Sequence, residues 1–201
     1  MSKRVGSGRR VNQLSDEELI ARCAAGERGA MDVLVERYHA KLLDFALRHV
    51  HNRETAADIA QVTLVRVYER AVSFQARASF RTWMYAIALN YVRDSFRKRN
   101  VRRESLCSEL EDWPDAPVPA AEPSPEDLAV EAAQGSALWR TVDKLPERQR
   151  TAVLLRFRQQ LKYDEIAEIM GAPPGTARSW IHHALKALRR SIAPPDCEGQ
   201  T

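Results

Sequence analysis

Apolar residues recur along this chain at intervals of three and four, and strict alternation is rare. That periodicity predicts helices and no sheet, hence an all-α fold. A capping-box signature opens the first helix: Ser15 can accept from the backbone at Glu18, whose side chain can reach back to Ser15. Leu19, Ile20 and Cys23 supply its apolar face, and Gly26 ends it. A longer helix carries Met31, Leu34, Val35, Tyr38, Leu42 and Phe45, and His51-Asn52 reads as a turn. A third helix runs from about Glu54 to Ala71 with Ile59, Val62, Val65 and Val67. The loop SFQARAS leads to a fourth, from about Phe80 to Lys98. The pattern then lapses and resumes at Ser124-Pro125-Glu126-Asp127, an N-cap with proline at the first helical position. Three or four helices follow, up to Ile192.

Charge and proline content change this picture where the pattern lapses. Glu104 to Gly135 holds nine acids and no Lys or Arg, and five of the ten prolines lie between Glu104 and Pro125. Such a stretch buries too little apolar surface to offset its ordering entropy and reads as a tether. The expected plan is a disordered basic tail over 1–13, a small helical domain over 14–101, and a flexible, acidic, Pro-rich linker over 102–124. A second small helical domain over 125–193 and a tail over 194–201 complete it. The net charge is +4, so setting those nine negative charges apart leaves +13 on the rest. A basic body with one acidic strap suits a polyanionic partner. No apolar run approaches the ~18 residues of a membrane span, and the basic start lacks the apolar core of a secretory signal. Cys23, Cys107 and Cys197 are odd in number and widely separated, which points to a reducing cytoplasm and to neither disulfides nor zinc.

The last helix carries the most specific pattern. At ~100° per residue, Ala177, Ile181, Ala184, Leu185 and Leu188 share one stripe. Arg178, Ser179, His182, His183, Lys186, Arg189 and Arg190 lie opposite, and no acid occurs from Thr176 to Arg190. Upstream, Ala167 stands four residues before Gly171, with a second helix starting soon after. A steep helix crossing needs a small contact residue, and the tight turn favours glycine. This is the logic of a helix-turn-helix whose second helix reads the major groove. His182 and His183 diverge by ~100° on the helix, too far for one metal ion. No Gly-rich phosphate loop, metal-ligand spacing or nucleophile–base set stands out. The expectation is therefore no enzyme, no cofactor and no small-molecule substrate.

On these residues the chain resembles the sigma-70 family of RNA polymerase sigma factors, in its extracytoplasmic-function (ECF) branch. Leu145-Pro146, Gln149-Arg150, Tyr163, Glu165-Ile166-Ala167, Gly175-Thr176 and Arg178-Ser179 resemble the family's region 4. The resemblance implies contact with the −35 promoter element through Thr176, Arg178, Ser179, His182, His183, Lys186 and Arg189. Of these, Arg178, Ser179, His182 and His183 are the base-edge candidates; Lys186 and Arg189, with Arg190, are placed for phosphates. The family commonly has a basic residue where Trp180 stands, and often another at His183.

Further upstream, Asp58-Ile59-Ala60-Gln61 resembles the signature of the helix that grips the coiled coil of the polymerase's largest subunit. This implies core-polymerase contact through Asp58, Ile59, Gln61, Val62, Val65 and Arg66. The family's following acid and phenylalanine are Val62 and Leu64 here. The stretch from Phe80 to Asn90 is similar to the helix that meets the −10 element. The resemblance assigns −10 DNA to Phe74, Arg77, Ser79, Trp83, Asn90, Arg93 and Arg97, with Phe74 to Ser79 beside a flipped base. Guanidinium groups hold backbone, an amide reads an edge, and an aromatic stacks on a base; core packing is the other reading of Trp83.

The resemblance thus implies a promoter-specificity subunit of the cytoplasm, with no membrane span. It would bind the coiled coil and flap of core polymerase, promoter DNA and an anti-sigma factor. The residues alone leave open a stand-alone helix-turn-helix regulator with an N-terminal protein-interaction module.

Overall fold

The computed structural model describes residues 12–107 and 137–192, with side chains from 12 to 98 and from 139 to 191. It divides into two compact units between Pro123 and Ser124. Among the described residues every regular element is helical.

In the first unit, helix α1 spans Asp16–Ala24, α2 Arg28–Val50, α3 Arg53–Glu69 and α4 Phe80–Cys107. The α1 capping box forms: the Glu18 N–H donates to Ser15 Oγ at 3.2 Å and the Ser15 N–H to Glu18 Oε2 at 2.8 Å. His51, at φ 52°, closes α2 in the left-handed region. Asn52 then caps α3, its side-chain oxygen accepting from the Thr55 N–H at 2.8 Å. The two-residue turn read from His51-Asn52 is thus one C-cap followed by one N-cap. A 3₁₀ turn, Ala71–Ser73, follows α3.

The core of this unit is Leu19 and Ile20 of α1, Leu34, Leu42 and Phe45 of α2, and Phe80, Met84, Tyr85 and Leu89 of α4, all essentially sealed from water. Polar ties fix the angle of α1. Asp16 accepts from Arg37 Nη1 at 2.6 Å and from the Tyr38 hydroxyl. Arg37 Nη2 also donates to the carbonyls of Asn12 and Leu14, at 2.6 and 3.0 Å. Burial, reinforced by Asp16, raises the Tyr38 pKa, so the phenol stays protonated and donates. Burial likewise raises the Cys23 pKa, keeping its thiol protonated.

The second unit contains α5 (Ala137–Asp143), α6 (Glu147–Val153), α7 (Tyr163–Met170) and α8 (Pro174–Ile192). A wider π-type turn, Leu154–Arg158, prolongs α6, and the chain leaves it through Gln160 at φ 55°. Val142, Leu145, Val153, Ala184 and Leu188 form a core cluster, with Trp139 and Leu185 packed beside it. The α7–α8 turn is built as its sequence indicates. Gly171 adopts φ 66° and ψ 43°, and the Ala172 N–H donates to the Ala167 carbonyl at 2.9 Å. Pro174 opens α8, where a missing N–H costs nothing. Ala167 is buried, as the close helix crossing requires.

Two boundaries differ from expectation. Helix α4 does not stop near Lys98 but runs to Cys107, into the segment expected to be linker. The apolar period fades there, but the arginine-rich sequence has good helix propensity of its own. Helix α3 ends at Glu69, the last expected turn tightening to 3₁₀. Most of the acidic stretch, the helix start at Ser124 to Asp127, most of the N-terminal tail and the C-terminal tail lie outside the described residues.

Candidate nucleic-acid interface

Helix α8 places its side chains as the wheel predicts. Ala177, Ile181, Ala184 and Leu188 are buried and Leu185 is half-buried. Arg178, Ser179, His182, His183, Lys186, Arg189 and Arg190 are all exposed, and Thr176 is half-buried at the first turn. The His182 and His183 rings lie 5.9 Å apart, edge to face. At the two borders of the outward face, cations meet aromatic rings. On one, the guanidinium groups of Arg178 and Arg156 lie 5.4 and 5.0 Å from the centre of the Tyr163 ring. On the other, Arg148 of α6 lies 5.8 Å from the centre of the half-buried Trp180 ring. An exposed pair of this kind contributes ~0.5–1 kcal/mol; its larger effect is to restrict where the guanidinium points.

Helix α4 is more deeply embedded than an amphipathic stripe suggests: Met84, Tyr85, Ala88, Leu89 and Val92 are all buried. Asn90, Arg93 and Arg97 remain exposed on the other side, with Arg97 3.4 Å from Asp94. Trp83 is half-buried, its ring 5.2 Å from Phe74 and 6.2 Å from Phe80. Packing is therefore part of its role, with one side left accessible. Phe74 is likewise half-buried against Phe80, while Arg77 is exposed. Ser79 serves the helix itself. Its Oγ accepts from the Thr82 N–H at 3.2 Å and lies 2.8 Å from Thr82 Oγ1, capping α4. The carboxylate of Glu17, on α1, accepts from the Phe80 N–H at 3.0 Å. Because Ser79 is occupied and partly buried, the accessible base-cradle candidates of this loop reduce to Phe74, Gln75 and Arg77.

On α3, Asp58, Gln61, Val62 and Val65 share one outward face at the i, i+3, i+4, i+7 spacing. Ile59 does not belong with them. It is 5 % exposed and turned into the unit's own core, so it is removed from the contact surface. Arg66 is exposed, but its Nε donates to the Tyr91 hydroxyl at 2.8 Å and its Nη1 meets Glu69 at 2.8 Å. Two large apolar residues that sequence reasoning passed over, one on α3 and one in the 3₁₀ turn, are exposed as well. Tyr68 is 45 % and Val72 81 % exposed, beside Val65 at 47 %. The missed signal was an excess: α3 and its 3₁₀ turn carry more large apolar residues than one buried face can use.

Among the described residues no three His, Cys, Asp or Glu converge as a metal site requires, and no helix is long and apolar enough to cross a membrane.

Comparison with known proteins bears on these surfaces. A family profile described as "Sigma-70 region 2" matches residues 34–102, and one described as "Sigma-70, region 4" matches 136–188. The RNA polymerase sigma-H factor of Pseudomonas aeruginosa is 32 % identical over 188 residues, spanning 92 % of this chain and 97 % of its own. The ECF RNA polymerase sigma-E factor of Escherichia coli K12 is 31 % identical over 185 residues, covering 90 % and 96 %. Among solved structures, CnrH in complex with the cytosolic domain of CnrY aligns with TM-score 0.64 at 22 % identity, covering 88 % of this chain and 96 % of that one. RpoE of Bartonella quintana, in complex with the anti-sigma factor NepR, aligns with TM-score 0.60 at 22 % identity, covering 80 % and 96 %. These two likenesses are of fold.

Proposed function

Since the chain belongs to the sigma-70 family, among RNA polymerase sigma factors of the ECF type, we propose that it acts as the following two-surface adaptor. The first unit, residues 14–101 with the continuation of α4, docks on core polymerase through Asp58, Gln61, Val62, Val65 and Arg66 of α3, extended by Tyr68 and Val72. Phe74, Arg77, Trp83, Asn90, Arg93 and Arg97 engage and open −10 DNA. Residues 125–193 read the −35 major groove through α8. Arg178, Ser179, His182 and His183 face base edges there, with Thr176 at the first turn, while Lys186 and Arg189 face phosphates. Ile59 and Ser79 support these surfaces from within. The acidic stretch tethers the units and keeps them from collapsing onto each other's basic surfaces. The protein contributes no catalysis of its own and works in the cytoplasm.

The observation that carries this reading is the outward face of α8, exposed, acid-free and bordered by guanidinium groups over aromatic rings, on the second helix of a helix-turn-helix. Control by an anti-sigma factor is part of the proposal: the Bartonella relative is described bound to one, and the apolar row on α3 is a surface such a partner can cover.

Run-off transcription with purified core polymerase on genomic fragments tests it. The expected result is a set of promoter-dependent transcripts, with specific DNA binding far weaker for the free chain than for the holoenzyme. Absence of such transcripts at every salt concentration would overturn it. So would free-chain binding as tight and specific as holoenzyme binding, the behaviour of a stand-alone regulator.

A further inference from the structure

Arg148 and Trp180 come from different elements and meet at the border of the reading face of α8. Trp180 stands one turn before His183 on α8, between the buried stripe and the exposed cationic side chains. Its ring is half-buried, and Arg148 projects over it from α6 with the guanidinium carbon 5.8 Å from the ring centre. Arg148 is exposed, and among the described residues no carboxylate pairs with it. The other long cations near α8 are differently placed. Arg156 donates to the Leu161 carbonyl at 2.9 Å and shares the Tyr163 ring with Arg178 on the far border. Arg158 lies 5.1 Å from the centre of the Trp139 ring.

We propose that Arg148 is a DNA-phosphate contact of the second unit, with Trp180 as the platform that holds it beside α8. The inference rests on the reading of α8 as the helix that enters the major groove. A helix in the groove has phosphates along both of its flanks, and an ordered, unneutralised guanidinium on a flank meets one. Trp180 itself brings no charge to that flank. Arg148 supplies it across space, from a helix outside the helix-turn-helix. An aromatic platform suits this because it orients the guanidinium through the ring face while leaving its N–H donors free for phosphate oxygens.

The test is promoter binding by the full-length chain assembled with core polymerase, measured against salt concentration on two promoters that differ in the −35 element. Arg148→Ala is expected to reduce the slope of log affinity against log salt by about one, equally on both promoters. Trp180→Leu keeps apolar bulk but removes the ring face. It should weaken binding in the same sequence-independent way, and the double variant should lose less than the sum of the two. Arg148→Ala/Trp180→Arg, which puts the guanidinium on α8 itself, should recover the slope. Arg189→Ala serves as the reference. If it lowers the slope and Arg148→Ala does not, Arg148 only covers the indole and the inference is overturned while the reading of α8 stands. If neither lowers it, the reading of α8 fails first. An Arg148→Ala loss that differs between the two promoters also overturns the inference, since it would mean base reading.

Discussion

Gln160 sits at φ 55°, where a side chain is crowded by its own backbone and glycine is not. It is exposed, and its position lets Leu161 turn back into the core. Gln160→Gly is therefore expected to stabilise the second unit by about 0.5–1 kcal/mol, the left-handed penalty less the extra entropy of an unfolded glycine. A rise in the urea midpoint measures this, and a fall would mean that the Gln160 side chain holds the turn. Glu18 gives a residue-scale pH dependence. The backbone N–H of Ser15, then its hydroxyl, lower the Glu18 pKa below its ordinary value. A depressed carboxylate stabilises the fold above its unfolded pKa, near ~4.3, and loses that contribution as pH falls through the lower folded value. Glu18→Gln should thus flatten the acid limb of the stability curve of the first unit below about pH 5, with little change in its shape near neutrality.

The helices matter individually through the face each leaves uncovered. Helix α3 buries Ile59, Ala60, Thr63, Leu64 and Val67, and presents Val65 at the centre of the opposite face. A charge there faces water in the free protein and leaves the core untouched. Val65→Asp is expected to keep the fold and its melting temperature while weakening core-polymerase binding at least tenfold, the loss typical of a charge in an apolar contact. Competition against the unmodified chain for core enzyme reads this directly. Equal competition would move the docking surface off α3. Helix α4 shows how an element can hide its own function: its N-terminus is fixed by Ser79 and by Glu17 from α1. A loop residue expected in a base cradle, Ser79, thus also fixes the start of α4.

For the molecule as a whole, the proposed function assigns separable roles to surfaces on the two units. Arg178 lies over the Tyr163 ring at the start of α8, exposed on its outward face, and in the proposed function it meets base edges. Arg178→Ala is expected to leave core binding unchanged and to cost ~1–3 kcal/mol at promoters with the preferred −35 base and little at others. Transcription from a panel of −35 variants checks it, and equal losses on all sequences would make Arg178 a phosphate contact instead. A variant on the outward face of α8 should thus change where transcription starts, and one on the outward face of α3 whether holoenzyme forms.

Periodicity and capping chemistry are local properties, and through them the chain alone determined the order of the helices, their start at Ser15 and their turn at Gly171. The buried stripe and cationic face of α8 follow from a 100° advance per residue, which needs no knowledge of neighbours. Helix length was less legible where it depended on propensity without an apolar period, as from Lys98 to Cys107 in α4. What only the tertiary structure decided is which polar or apolar group finds a partner across elements. Ile59 turned inward, Glu17 became a cap for α4, Arg66 reached Tyr91, and Arg148 came to rest on Trp180. A helical wheel tells which side of a helix is wet. The side chain lying across from it comes from residues dozens of positions away, and only the packed fold brings the two together.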